Sequence, residues 1–262
     1  MAFYEIVFSP TGGTKKAAGI LAGELAKGLA DGSPVHSLSI IDLTDGRADF
    51  AGIRLAPNDT VLIAVPSYGG RVPLPAGERL AQIKGNGAKA VLVCVYGNRA
   101  YEDTLAELQD IAETAGFAPA AAVAALAEHS IAHRYGSGRP DSQDEQQLRF
   151  FAAQILSKLS APDQPPLSLP GNRPYKPFGV IKLVPVPAEN CTQCGLCAVH
   201  CPVQAIDSSD VRKTDTEKCI SCMRCAALCP QKARQADPQA LSAVEEHLKK
   251  VCALRKEPEL YI

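Results

Sequence analysis

Cys191-Thr-Gln-Cys194-Gly-Leu-Cys197-Ala-Val-His-Cys201-Pro202 returns 28 residues later as Cys219-Ile-Ser-Cys222-Met-Arg-Cys225-Ala-Ala-Leu-Cys229-Pro230. One cysteine phrase used twice is an internal duplication, and it holds all but two of the chain's 10 cysteines. Three chemistries use cysteines at such density. Disulfides require an oxidising compartment. The N-terminus, Met1-Ala-Phe-Tyr-Glu5-Ile-Val-Phe8, lacks the basic n-region of a secretory signal, so a cytoplasmic location is expected. Zinc sites pair two short knuckles across a gap, and a third and a fourth cysteine in each phrase exceed what one tetrahedral ion needs. Iron-sulfur cubanes suit the spacing: two-residue gaps let three thiolates wrap one cluster, while the fourth, before proline, reaches the other. The ligand sets then cross, with Cys191, Cys194, Cys197 and Cys229 on one 4Fe-4S cluster and Cys219, Cys222, Cys225 and Cys201 on a second.

Both complete motifs, over residues 188–237, resemble the bacterial-type ferredoxins with two 4Fe-4S clusters. The resemblance implies a small α+β ferredoxin domain. Gly195, without a Cβ, would let backbone amides approach a sulfide. About fifty residues bury too little apolar surface to fold alone, so the clusters must supply stability and the metal-free segment should be disordered. Lys218 and Arg224, beside cluster cysteines, would favour the reduced, more negative state by Coulomb attraction.

The whole chain has 262 residues, 46% hydrophobic and 21% charged, with 27 basic against 28 acidic side chains. Neither nucleic acid nor a membrane surface is expected as partner, since both are bound chiefly through clustered Lys and Arg. No run approaches the roughly 18 apolar residues that cross a bilayer.

Upstream of the cysteines, residues 1–160 alternate apolar runs with helical periodicity. Strands are expected at Phe3 to Phe8, Val35 to Leu43, Thr60 to Val65, Ala88 to Tyr96 and Ala118 to Leu126. Helices are expected at Lys15 to Leu29, Leu74 to Ile83, Thr104 to Ala115 and Glu145 to Leu159. This alternation predicts an α/β doubly wound, five-stranded parallel sheet, whose ligand sits beyond the carboxyl ends of the strands. After the first strand come Ser9, Thr11, Gly12, Gly13, Thr14 and Lys15, where hydroxyls and free amides at a helix start can converge on an anion. The loop is neither a Walker A nor a G-x-G-x-x-G turn. Such Ser/Thr/Gly turns also serve as plain helix caps.

This loop resembles the [ST]-x-T-G-x-T phosphate loop of flavodoxins. The resemblance implies a flavodoxin-like FMN-binding domain over residues 1–160, with Ser9 to Lys15 at the FMN phosphate. The loops that follow the third and fourth strands would then hold the isoalloxazine ring. They supply Pro66, Ser67, Tyr68 and Gly69, then Tyr96, Gly97, Asn98 and Tyr101. Tyr68 and Tyr101 are the stacking candidates and Tyr96 the third, with Gly69, Gly97 and Asn98 presenting amides at the ring edge. Half-buried strand-end tyrosines are the plainer alternative. His129 and His133 follow the fifth strand, as surface loop or as groups near the flavin edge.

Residues 161–187 form a Pro-rich linker, with eight prolines from Pro162 to Pro187. They could span up to about 80 Å at roughly 3.1 Å per residue. Tyr175, Phe178, Val180, Ile181, Leu183 and Val184 are too apolar for a free tether and should pack on a domain. Residues 238–262 read as a docking helix and tail, with Leu241, Val244, Leu248 and Val251 on one face. Cys94 and Cys252 read as buried thiols.

The chain as a whole resembles flavodoxin-ferredoxin fusion proteins of anaerobes. The resemblance implies an electron carrier that moves single electrons between two 4Fe-4S clusters and an FMN, serving redox protein partners such as a ferredoxin or an oxidoreductase. A ferredoxin-dependent FMN reductase, with His129, His133 or Arg71 near the reacting edge, and a cluster-based redox sensor are the other expectations. The linker's reach leaves a homodimer open.

Overall fold

The computed structural model describes residues 1–30, 36–161, 165–179 and 182–262. Five strands form a parallel sheet: β1 (Ala2–Val7), β2 (His36–Asp42), β3 (Thr60–Pro66), β4 (Lys89–Tyr96) and β5 (Ala118–Leu126), in the order β2-β1-β3-β4-β5. That is the flavodoxin-like order, whose switch point lies between β1 and β3. Residues of β3 and β4 are buried almost throughout, because helices cover both faces. Helices α1 (Gly13–Leu29) and α4 (Ser142–Ser160) pack on one face over Phe3, Val7, Leu62 and Val93. Helices α2 (Leu74–Leu80) and α3 (Thr104–Thr114) cover the other, over Ile6, Ile63 and Leu92. Asp141 caps α4 by accepting from the amides of Gln143 and Asp144, and the Asp144 carboxylate returns the bond to the Asp141 amide.

One strand was not anticipated. After α7 (Pro238–Lys249) the tail runs back as β8 (Glu259–Tyr261), antiparallel to β5, and makes the sheet six-stranded. It closes an edge that β5 would otherwise expose.

The linker is strapped down over the residues described. Asp103 accepts from the amides of Asn172 and Lys176 at 2.8 and 2.7 Å. Arg173 pairs with Asp110, which also accepts the Tyr175 hydroxyl, and Leu169 is buried in the sheet core. The segment is therefore packed on the α/β sheet, because Asp103 at the cap of α3 and Asp110 within it bind its backbone and side chains. Tyr175 packs as expected, with the Arg71 guanidinium 4.8 Å from its ring centroid, and Leu183 is buried. Val184 is half-buried, while Phe178 stays partly exposed. Val180 and Ile181, and Val35 at the start of the second strand, lie outside the described residues.

The cysteine segment is small. It contains a two-stranded sheet of β6 (Val186–Pro187) and β7 (Arg234–Gln235), two four-residue helices, α5 (Leu196–Val199) and α6 (Arg224–Ala227), and an apolar cluster of Ala198, Ile206 and Val211. Among the described residues no helix is long and apolar enough to cross a membrane.

Candidate functional site

The cysteines segregate into two quartets. Cys191, Cys194, Cys197 and Cys229 line one cavity, with Gly195, Val211 and Ala233. Cys201, Cys219, Cys222 and Cys225 line the other, with Pro185, Ile206 and Ile220. Each quartet thus draws three cysteines from one phrase and its fourth from the other. Left-handed backbone at Gln193 and Gly195 in one phrase, and at Ser221 and Met223 in the other, folds each three-cysteine run around its cavity. Two amides already point at sulfur: Ala205 donates to Cys201 Sγ at 3.3 Å and Ala233 to Cys229 Sγ at 3.2 Å. Burial pushes the Cys222 thiol up to about 12 and that of Cys225 to about 11. These thiols would stay protonated without a cation, so loading metal must release their protons. Four thiol donors around a cavity, with amides near the sulfurs, is the donor set of an iron-sulfur cluster. Among the described residues no three His, Cys, Asp or Glu side chains converge on a single-ion site.

At the carboxyl ends of β1, β3 and β4 a further cavity opens, lined by Pro10, Thr11, Gly13, Thr14, Pro66, Ser67, Tyr68, Tyr96, Gly97 and the 127–130 loop. Gly12, at φ 93°, turns the chain from β1 into α1 and leaves the amides at the helix start facing outward. Ser9 and Lys15 are used differently from the expectation. The Ser9 hydroxyl accepts from the Lys15 amide at 2.9 Å and so braces the loop, while the Lys15 side chain is exposed. Neither they nor Gly12 line the cavity.

Ser67, Tyr68, His129 and Ser130 are shared with a larger neighbouring cavity. Gly69 and Arg99 join its walls from the β3 and β4 loops, Lys176 and Gly179 from the linker, Ile220 and Ser221 from the cysteine segment, and Val244, His247 and Leu248 from α7. Burial raises the Tyr68 hydroxyl well above its usual range, and the nearby Cys222 sulfur adds to the effect. Of the expected ring neighbours, Tyr68, Gly69, Tyr96 and Gly97 therefore lie at the cavities.

Tyr101 and Asn98 do not. The Tyr101 hydroxyl bonds to those of Tyr261 and to Glu259, at 2.6 and 2.9 Å, so its ring packs toward β8 instead of the cavity. Asn98, at φ 63°, turns its amide on the tail: Nδ2 donates to the carbonyls of Cys252 and Leu254, and Oδ1 accepts from the Lys256 amide. Both roles depend on the C-terminal tail, Tyr101 on β8 itself and Asn98 on the segment between α7 and β8. His133 pairs with Glu128 at the surface, and Arg71 is held by Glu107, so neither lines a cavity.

His129 is the residue whose position sequence reasoning left open. Its Nδ1 accepts from the amides of Ile131 and Ala132 at 3.2 and 3.1 Å. Burial, with His133 and Arg99 nearby, lowers its pKa to about 4, so the ring is neutral and carries its proton on Nε2. Gly97 lies against it: a Cβ there would sit 2.7 Å from His129 Cα, Cβ and Cδ2.

The cysteine segment is docked on the loop after β1, on α2 and on the loop after β2. Arg224 donates to the Pro10 carbonyl at 3.0 Å, Arg79 to that of Pro202, and Gln204 to that of Gly46 at 3.2 Å. Helix α7 packs Val244 and Leu248, and the Cys252 that follows it, over Ala132, Ile131 and Tyr135. Leu241 is half-buried, and Val251, expected on the same face, is exposed because the helix ends at Lys249.

Residues 190–233 match the family model of the 4Fe-4S dicluster domain. No curated protein matches the chain. Among solved structures, the flavodoxin of Streptococcus pneumoniae TIGR4 is similar at 18% identity and TM-score 0.41, over 60% of this chain and 99% of that one. Flavodoxin 1 from Bacillus cereus is similar at 16% and 0.42, over 61% and 100%. The rubredoxin oxygen:oxidoreductase of Desulfovibrio gigas is similar at 16% and 0.38, over 61% of this chain and 36% of that one. By its own strand order and by the dicluster match, the chain is a fusion of a flavodoxin-like α/β sheet with a ferredoxin-type 4Fe-4S segment.

Proposed function

We propose that the protein is an electron-transfer flavoprotein that exchanges single electrons between two 4Fe-4S clusters and an FMN, and serves redox protein partners. The observation that carries this reading is the larger cavity, which is lined at once by the strand-end loops of the sheet and by Ile220 and Ser221 from between two cysteines. When bound, the clusters would pass one electron at a time and the flavin would accept one or two.

The chain's own residues account for holding these groups. Thr11, Gly13 and Thr14 would meet the FMN phosphate with hydroxyls and helix-start amides, which favour an anion. Tyr68 and Gly69 would meet the ring, and His129 Nε2 offers a hydrogen-bond donor between phosphate and ring ends. Cys191, Cys194, Cys197 and Cys229 would hold one cluster, and Cys201, Cys219, Cys222 and Cys225 the other. Covalent fusion holds the two halves at a high effective concentration, and the Arg224 and Arg79 contacts fix their docking.

Anaerobic purification followed by iron, sulfide and flavin analysis of one sample tests this. The expected result is about eight irons, as two cubanes require, with one FMN per chain. Zinc in place of iron, or absence of FMN, would overturn it.

A further inference from the structure

The two quartets stand in different relations to the rest of the chain. The Cys201/Cys219/Cys222/Cys225 cavity shares Ile220 with the larger cavity at the strand ends, so this one residue forms a wall of both. Its neighbour Ser221 also faces the larger cavity. Ser221 is held at φ 53° and accepts the Leu183 amide at 2.9 Å, which pins the loop in place. Ile220 packs against the core of the α/β sheet, and Cys222 is buried. The contacts that dock the segment cluster around this quartet: Arg224 and Pro202, each beside one of its cysteines, bind the 9–10 loop and Arg79.

The Cys191/Cys194/Cys197/Cys229 cavity differs on each count. Among the described residues, every one that lines it lies between 191 and 234, none from the α/β sheet, the linker or α7, and Cys194 is exposed.

Resting on the reading above, we propose that the redox centres stand in a fixed order. The quartet of Cys201, Cys219, Cys222 and Cys225 is the internal relay, which meets the flavin cavity across Ile220 and Ser221. The quartet containing Cys194 is the port at which a one-electron protein donor or acceptor exchanges with the molecule. Each transfer is a single electron that leaves a reduced iron-sulfur donor protein, passes the Cys194 quartet and then the Cys222 quartet, and arrives at the flavin cavity; no bond is made or broken on the way. The order also accounts for the Cys194 quartet: Val244, His247, Leu248 and linker residues Lys176 and Gly179 join Ile220 in lining the larger cavity, whereas Cys194 is exposed at the surface, where a protein partner can exchange.

Hydrogen exchange on the iron-loaded, FMN-free full chain, before and after adding FMN, tests the order without any turnover. Protection should rise at least tenfold for amides 219–222 and 129–131 and change less than twofold for amides 191–197. Equal or greater protection at 191–197 would overturn the order. A second readout is the Cys194→Ser variant. It should bind FMN within twofold of the parent, yet its flavin should be reduced by a reduced dicluster ferredoxin at least tenfold more slowly. Reduction at the parental rate would overturn the order as well. If the iron-loaded chain binds no FMN at all, the flavin reading fails first and the order falls with it, whereas FMN binding with the wrong protection pattern refutes the order alone.

Discussion

Replacing Asn98 by Asp tests whether the C-terminal segment is held to the flavin-side loops by one side chain. Asn98 is buried and sits in left-handed backbone, which Asp also tolerates, so the change leaves the loop's path intact. It removes the Nδ2 donor that binds the carbonyls of Cys252 at 3.0 Å and Leu254 at 2.9 Å, and keeps the Oδ1 acceptor for the Lys256 amide. The bond to Cys252 is buried and that to Leu254 is part-buried. Two neutral bonds of about 1 kcal/mol each, with a carboxylate oxygen turned on the two carbonyls in place of their donor, come to at least about 2 kcal/mol. If that energy holds the tail closed against local opening, amides of β8 and of Cys252 should exchange about 30-fold faster. Those of β1 and β3 should be unchanged. Hydrogen exchange with mass spectrometry reads this directly. Acceleration below about threefold at 252–261, or uniform acceleration through β1 and β3, would refute the assignment of Asn98 as the tail's anchor.

Glu5 lies buried in β1 with Oε1 lacking a hydrogen-bond partner among the described residues, and burial raises its pKa above 4.5 despite Lys15 nearby. The folded chain therefore holds this proton more tightly than the unfolded one, and the protein loses stability as pH rises from about 4.5 through the raised value. Glu5→Gln should be more stable than the parent at pH 7, by about 1 kcal/mol, with the gap narrowing toward pH 4.5 in urea titrations. A gap that widens on acidification would contradict the sign. Chelating iron under reducing conditions should raise exchange across 186–235 and leave β1, β3 and β4 protected, because the segment's own apolar cluster is only three buried residues; an unchanged segment would show that it folds without metal. Gly97→Ala, whose methyl would press on His129, should weaken FMN binding to the iron-loaded chain about tenfold by fluorescence titration. Parental affinity would remove Gly97 from the site.

The parallel strands were legible because β3 and β4 are continuous apolar runs, the pattern of strands covered on both faces. The cysteine spacing carried its own geometry, since a two-residue gap fixes which thiols can share a cavity. What escaped was whatever depends on contacts distant in sequence. Glu259-Leu-Tyr261 is too short to show a period, and its pairing with β5 spans more than a hundred residues. Without the tail folded back, Tyr101 and Asn98 read as ring neighbours; with it, the Tyr101 hydroxyl is committed to β8 and the Asn98 amide to the segment before it. The apolar residues of the proline-rich segment predicted that it packs on a domain, but not where: Asp103 at the cap of α3 and Asp110 within it, which bind that segment, are ordinary acids in sequence. His129 could be placed only once the β5 loop was seen between the two cavities.

Stopped-flow reduction of the fully loaded chain tests the central claim most directly. With a limiting iron-sulfur donor protein, cluster bleaching should precede flavin bleaching, and the second phase should have a rate independent of protein concentration, as transfer within one folded unit requires. A flavin phase whose rate climbs in proportion to protein concentration, or an FMN that stays oxidised beside reduced clusters, would contradict it.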